Sequence, residues 1–209
     1  MIDRALLARC VAAYNIEVTD ELYERLDIYA RLLVEWNEKM NLTAITDPVG
    51  ITVKHFADSL TAAPLLPAGA FSLLDVGTGA GFPGVPVTLI HARAEEGGRQ
   101  KHLREKFDVV TARAVAALPV LSEYCLPFAK VGGRFLALKG PDAEKEQAAA
   151  ERAVNLLGGR VAQVESLRLP ATDEPGVETM ERRLVCIEKV RHTPPAYPRQ
   201  SAKISKQPL

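Results

Sequence analysis

Cysteine is scarce: Cys10, Cys125 and Cys186 are the only three in 209 residues, each among apolar neighbours and none in a C-x-x-C pair. That distribution argues against a disulfide framework and a cysteine zinc site, and leaves the three as small buried hydrophobes. No metal site is expected. Long apolar runs are also missing, so no segment reaches the length of a membrane span. The opening "MIDRALLARC" places an acid where a secretory leader would be basic, and the chain reads as cytosolic. Net charge is zero, with 26 Lys and Arg against 26 Asp and Glu. The balance is uneven along the chain, however. Residues 1–48 carry nine acids against five bases, whereas Lys189, Arg191, Arg199, Lys203 and Lys206 follow Glu188 with no acid among them. Contact with a polyanion is therefore expected of the tail, not of the whole molecule.

At 47% hydrophobic residues the chain can fill the core of one large α/β domain with a modest extension. From Asp20 to Met40, Leu22, Leu26, Tyr29, Leu33, Trp36 and Met40 recur at steps of four and three, one face of a helix that Thr19 or Asp20 can cap. Ile2 to Tyr14 repeats the pattern more briefly, so residues 1–48 read as a helical unit. Residues 49–190 read as the main domain and residues 191–209 as a basic tail. "FSLLDV", "FDVVTARAV" and "RFLALK" have the texture of strands buried on both faces of a parallel sheet. Ala116 to Lys130 and Asp142 to Leu157 read as helices, the second closed by Gly158. "GRVAQVESLRL" and "RRLVCIEKV" follow as two late strands around the loop "PATDEPGVET". The alternation predicts a Rossmann-like, doubly wound α/β sheet.

One region does not fit that scheme. "VTLIH" from Val87 reads as a strand, yet only Gly77 to Pro86 separates it from the end of "LLDV". A parallel neighbour needs a crossover of about a dozen residues or more. The spacing predicts that a strand and its helices are missing near Pro86/Val87.

"LLDVGTGAGFPG" is the densest chemical signal. A glycine loop after the first strand lets backbone N–H groups approach a ligand. Gly79-Ala80-Gly81-Phe82-Pro83-Gly84 matches G-x-G-x-x-G, which by itself suggests an NAD(P)- or FAD-dependent oxidoreductase. Asp75 argues otherwise. An acid at the strand end repels a pyrophosphate and attracts a cation such as S-adenosylmethionine, which has an ammonium and a sulfonium and no phosphate.

These blocks carry a resemblance. "LLDVGTGAGFPGVP", "ARAEE", "FDVVTARAVAALPVLSEYCLP" and "GGRFLALKG", with "WNEKMNLTAI", "HFADSL" and "HTPPAYPR" outside them, resemble the bacterial small-subunit rRNA guanine-N7 methyltransferase family, also called glucose-inhibited division protein B. The resemblance implies a class I methyltransferase fold, S-adenosylmethionine as donor, and N7 of a guanine in 16S rRNA, free or in the small ribosomal subunit, as acceptor. It places cofactor contacts at Gly77 and Phe82, at Ala94 and Glu95, and at Arg113, beside Asp75 and Gly79 of the same loop. It also implies a second strand ending in an acid for the ribose hydroxyls, which this sequence lacks. Guanine N7 carries no proton, so no general base is required and no catalytic residue is assigned. A non-catalytic RNA-binding or ribosome-assembly protein is the alternative if the missing segment has abolished turnover. Lys139, at a strand end, and the basic residues of the tail are candidates for RNA phosphate. His55 and Asp58 are as readily a structural pair as a substrate contact.

Overall fold

The computed structural model describes residues 1–84, 88–170 and 179–209. The expected discontinuity at Pro86/Val87 and most of the loop "PATDEPGVET" lie outside the described residues.

Helix α1 (Arg4–Val11) is capped by Asp3, whose carboxylate accepts from Leu6 N. Helix α2 (Asp20–Met40) begins at Thr19, whose hydroxyl accepts from Leu22 N, and ends at Asn41 in the left-handed conformation, φ 49°. Its start and stop are those the sequence predicts. Its apolar face is only partly used: Asp27, Ala30 and Leu33 are buried, while Trp36 is 47% and Met40 61% exposed. The heptad-like spacing predicted burial to the end of the helix. Instead, the last two turns run past what the helix packs on. Residues 48–60 form a third helical segment, α3, whose middle, Ile51–Ala57, is wound as a π-helix. Ile51, Val53, Phe56 and Ala57 pack there against Leu6, Leu7 and Val11 of α1.

Five strands follow: β1 (Leu73–Asp75), β2 (Phe107–Arg113), β3 (Ala129–Lys139), β4 (Gly159–Pro170) and β5 (Thr179–Lys189). The sheet order is β1-β2-β3-β5-β4. The first three strands are parallel, with Leu74 opposite Val110 and Val110 opposite Phe135, and β5 runs antiparallel to both β3 and β4. Helices α4 (Ala94–Gly97), α5 (Leu118–Cys125), α6 (Ala143–Leu156) and α7 (Ser201–Lys206) accompany the strands.

Alternation along β2 divides the core. Val110 and Ala112 face α5 and α6 with Phe135 and Ala137, whereas Val109 faces the other side with Leu136, Leu138 and Cys186. All three cysteines are buried, and burial raises the Cys10 thiol to about 11 and the Cys125 thiol well above its ordinary value.

Among its described residues, 88–91, the strand expected at "VTLIH" does not form. Residues 88–93 have no regular structure, and Leu89 is 77% exposed. Among the described residues strand β1 is the edge of the sheet, paired with β2 on one side.

Candidate functional site

Strand β1 delivers Asp75 to the start of the glycine loop. One Asp75 carboxylate oxygen accepts from Thr111 Oγ1 at 2.9 Å, and the other from Gly84 N at 3.3 Å. The acid thus joins the first strand to β2 and to the far end of the loop. Burial raises its pKa, and hydrogen bonds from Thr78, Thr111 and Gly84 oppose that shift. Between these ends Gly81 N and Phe82 N both donate to Thr78 O. Gly77 has φ +71°, and a β-carbon there would lie 2.7 Å from Val115 Cγ2. Glycine is required at that position on both counts.

A cavity of about 340 Å³ opens beside the loop. Asp75, Gly77, Ala94 and Glu95, four of the expected cofactor residues, line it together. Gly79 lines a neighbouring groove along the free side of β1. Leu103, Val115 and Phe128 give the cavity apolar walls. Glu95 is only 8% exposed, and among the described residues no hydrogen bond or ion pair engages its carboxylate. The Glu95 carboxylate is thus open to the cavity, where a ligand's donor or cationic centre can reach it. S-adenosylmethionine fits these residues: its charged centres match two carboxylates, and its adenine matches the apolar walls.

Two more of the expected cofactor residues, Phe82 and Arg113, do not line this cavity. Phe82 is 5% exposed and stacks on His55, ring centroids 4.5 Å apart and planes 9° apart, with Tyr29 and Phe56 around it. The Tyr29 hydroxyl donates to the Ala80 carbonyl. Phe82 therefore fastens the loop to the helical unit instead of lining the cavity. Arg113 donates to Asp58 Oδ2 at 3.0 Å and to Lys54 O at 2.8 Å, with its guanidinium 5.3 Å from the centre of the Phe82 ring. It lines a second cleft of about 420 Å³ together with Lys54, His55, Lys139 and Arg182. The turn is made at Ala114, whose φ of 56° is unusual for a residue with a side chain. Arg113 and Ala114 face this second cleft, and Val115 faces the first cavity.

His55 and Asp58 are members of one network. Asp58 also accepts from Arg182 Nε at 3.2 Å. His55 Nδ1 lies 3.4 Å from Arg113 and Nε2 lies 3.0 Å from Thr43 Oγ1. An arginine can only donate, so Nδ1 accepts and Nε2 carries the hydrogen. Burial, and then the Arg113 charge, lowers the His55 pKa to about 4, which keeps the ring neutral.

The basic tail is corrected in part. The Lys189 side chain is fully buried, its ammonium donating to Leu126 O and Thr193 Oγ1, both at 2.6 Å, and paired with Glu105 at 3.2 Å. Arg199 is held by Glu123, a fully buried acid, at 2.6 Å. Both charges are used within the fold, so neither is free for phosphate. Lys139 pairs with Glu146 at 2.7 Å while still lining the second cleft. Arg191 is exposed and donates to Asn155 O, and Lys203 and Lys206 are exposed on α7.

The same anchoring reveals residues that the sequence did not single out. Arg104 donates to the carbonyls of Thr193 and Tyr197 at 2.7 and 2.8 Å and holds the tail down. Beyond the Arg199–Glu123 pair, Ser201 enters the wall of the cofactor cavity and meets the Tyr124 hydroxyl at 3.2 Å. The available signal was Glu123, an acid in the otherwise apolar "LPVLSEYCL".

A parallel-stranded core, a glycine loop at the end of β1 and an acid-lined cavity define a class I methyltransferase fold. Comparison with known proteins sharpens this. The model of the GidB family, rRNA small subunit methyltransferase G, matches residues 22–95 and 87–173. Ribosomal RNA small subunit methyltransferase G of Lactobacillus johnsonii is 42% identical over 243 aligned positions, covering 98% of each chain. Its counterpart from Acetivibrio thermocellus is 40% identical over 240 positions, covering 99% of this chain and 96% of that one. A SAM-dependent O-methyltransferase of Thermotoga maritima superposes with a TM-score of 0.42 at 17% identity, over 78% of this chain and 73% of that one. The chain belongs to the rRNA small subunit methyltransferase G family. Both alignments are longer than the 209 residues present, so these relatives carry residues with no counterpart here. The family's second stretch begins at Val87, where the crossover length predicted the loss.

Proposed function

We propose that this protein transfers a methyl group from S-adenosylmethionine to N7 of a guanine in 16S rRNA, acting in the cytosol on free rRNA or the small subunit. The observation that carries the reading is that Glu95, its carboxylate unpaired among the described residues, faces one cavity together with Asp75 and Gly77 of the loop. S-adenosylmethionine, when bound, supplies an electrophilic methyl on a sulfonium. Asp75 holds the loop closed, Gly77 keeps the wall at Val115 open to the ligand, and Glu95 receives a cationic centre or hydroxyls. Because N7 carries no proton, the protein's task is alignment, which can contribute several kcal/mol. The neutral His55 is consistent with a reaction that needs no base. In this reading residues 49–190 form the catalytic domain, residues 1–48 brace its glycine loop, and residues 191–209 close one wall of its cavity.

Calorimetry with S-adenosylmethionine and with NAD, followed by transfer of a labelled methyl to small-subunit rRNA and mapping of N7-methylguanine, tests the proposal. Cofactor binding with transfer at N7 supports it; binding of NAD alone overturns it. The residues that relatives carry and this chain lacks favour a second reading, a binder of cofactor and RNA without turnover. Binding with no transfer selects that reading.

A further inference from the structure

The second cleft has no role in holding the cofactor in the reading above, and its composition is specific. Lys54, Arg113, Lys139 and Arg182 surround it, and Asp58 is the acid among its lining residues. Asp58 serves two guanidinium groups at once, Arg113 at 3.0 Å and Arg182 at 3.2 Å. Among the described residues no acid pairs with Lys54, whose side chain is exposed. His55, neutral and accepting from Arg113, adds no charge of its own. Three separate parts of the fold converge here: α3, the ends of β2 and β3, and the start of β5. The ends of parallel strands are where open α/β sheets gather ligands. Ala114 makes this cleft and the cofactor cavity neighbours, with Arg113 on one side and Val115 on the other.

We infer that the second cleft is the acceptor's anchoring site, binding a backbone phosphate of single-stranded RNA next to the base presented to the cofactor. The inference rests on the rRNA reading of the first cavity. Arg113 and Arg182, fixed by Asp58, form a preorganised cationic wall, and Lys54 supplies an ammonium, unpaired among the described residues, at its rim, whereas Lys139 is already neutralised by Glu146. RNA bases that receive chemistry are taken from unpaired segments, and the adjoining backbone must then be held. A phosphate is the group this charge would recognise.

The test is fluorescence anisotropy of the full chain with a labelled 16S rRNA fragment across a salt series, beside calorimetry with S-adenosylmethionine. Lys54→Ala, an exposed change that preserves the ion pairs, is expected to weaken RNA binding about tenfold. It should also reduce the log-log salt slope by roughly 0.7, the value for one phosphate of a single strand. Arg182→Gln should do the same, Lys101→Ala should not, and cofactor affinity should be unchanged in all three. An unaltered salt slope in Lys54→Ala overturns the assignment. A parallel loss of cofactor affinity also overturns it, because the cleft would then hold the cofactor's own carboxylate. If the wild-type chain methylates rRNA while Lys54→Ala keeps its slope, only this assignment falls; a wild-type chain that binds cofactor but no RNA overturns both readings.

Discussion

Gly77 and Val115 are in such close apposition that a β-carbon on residue 77 would lie 2.7 Å from Val115 Cγ2. The contact sets how far the loop stands from the wall of the cofactor cavity. Gly77→Ala must relieve both this clash and an unfavourable φ of +71°, together about 1–3 kcal/mol of strain. Calorimetry should show S-adenosylmethionine affinity lowered at least tenfold, with the far-ultraviolet circular dichroism unchanged.

The Tyr29–Ala80 hydrogen bond couples the helical unit to the loop. Tyr29→Phe retains the ring packing against Phe82 and loses only that bond, worth about 1 kcal/mol. Urea unfolding should show a loss of about 1 kcal/mol, with the packing of the Phe82 ring retained.

Arg199→Ala leaves Glu123 buried without its cation. Breaking such a pair costs about 3–5 kcal/mol, against little for the exposed Lys203→Ala. Urea unfolding should show this contrast. Cofactor affinity should fall in Arg199→Ala as well, because Ser201 loses its anchor.

His55 gives the protein an acid limit. The native ring stays neutral down to about pH 4, whereas the unfolded ring takes up a proton near 6.5. Between those values the unfolded state binds more protons. The stability present above pH 6.5 is therefore lost progressively as pH falls towards 4, by about 2–3 kcal/mol in total. His55→Gln should flatten the pH profile of unfolding in that window; an unchanged slope would remove His55 as its source.

Local pattern made much of the fold readable. Thr19 and Asn41 mark the ends of α2, and an unbroken apolar run marks β2, buried on both faces, because both signals arise from near neighbours in sequence. Gly77 of the glycine loop, Asp75, Ala94 and Glu95 were likewise expected together, and they line one cavity. Pairings across long stretches were not. Glu123 and Arg199 are 76 residues apart, and nothing in "SEYC" says which cation neutralises the acid. Lys189 counted as a free charge for the same reason. Arg113 and Phe82 stand in the right segments, yet the φ of Ala114 and the aromatic cluster of the helical unit turn them away from the cofactor cavity. "VTLIH" has strand composition, but composition cannot supply the neighbouring strand that would pair with it.

The position of β1 has a dynamic consequence. Among the described residues its backbone is laddered to β2 only, and the glycine loop hangs from that strand. Local opening requires fewer broken contacts at such an edge than at β3, which is paired on both sides. Amide hydrogens of Leu74 and Val76 should therefore exchange ahead of those of Leu136 and Ala137, and cofactor binding should slow the first pair selectively. Occupancy of the site would then be readable as order in the strand that supports it.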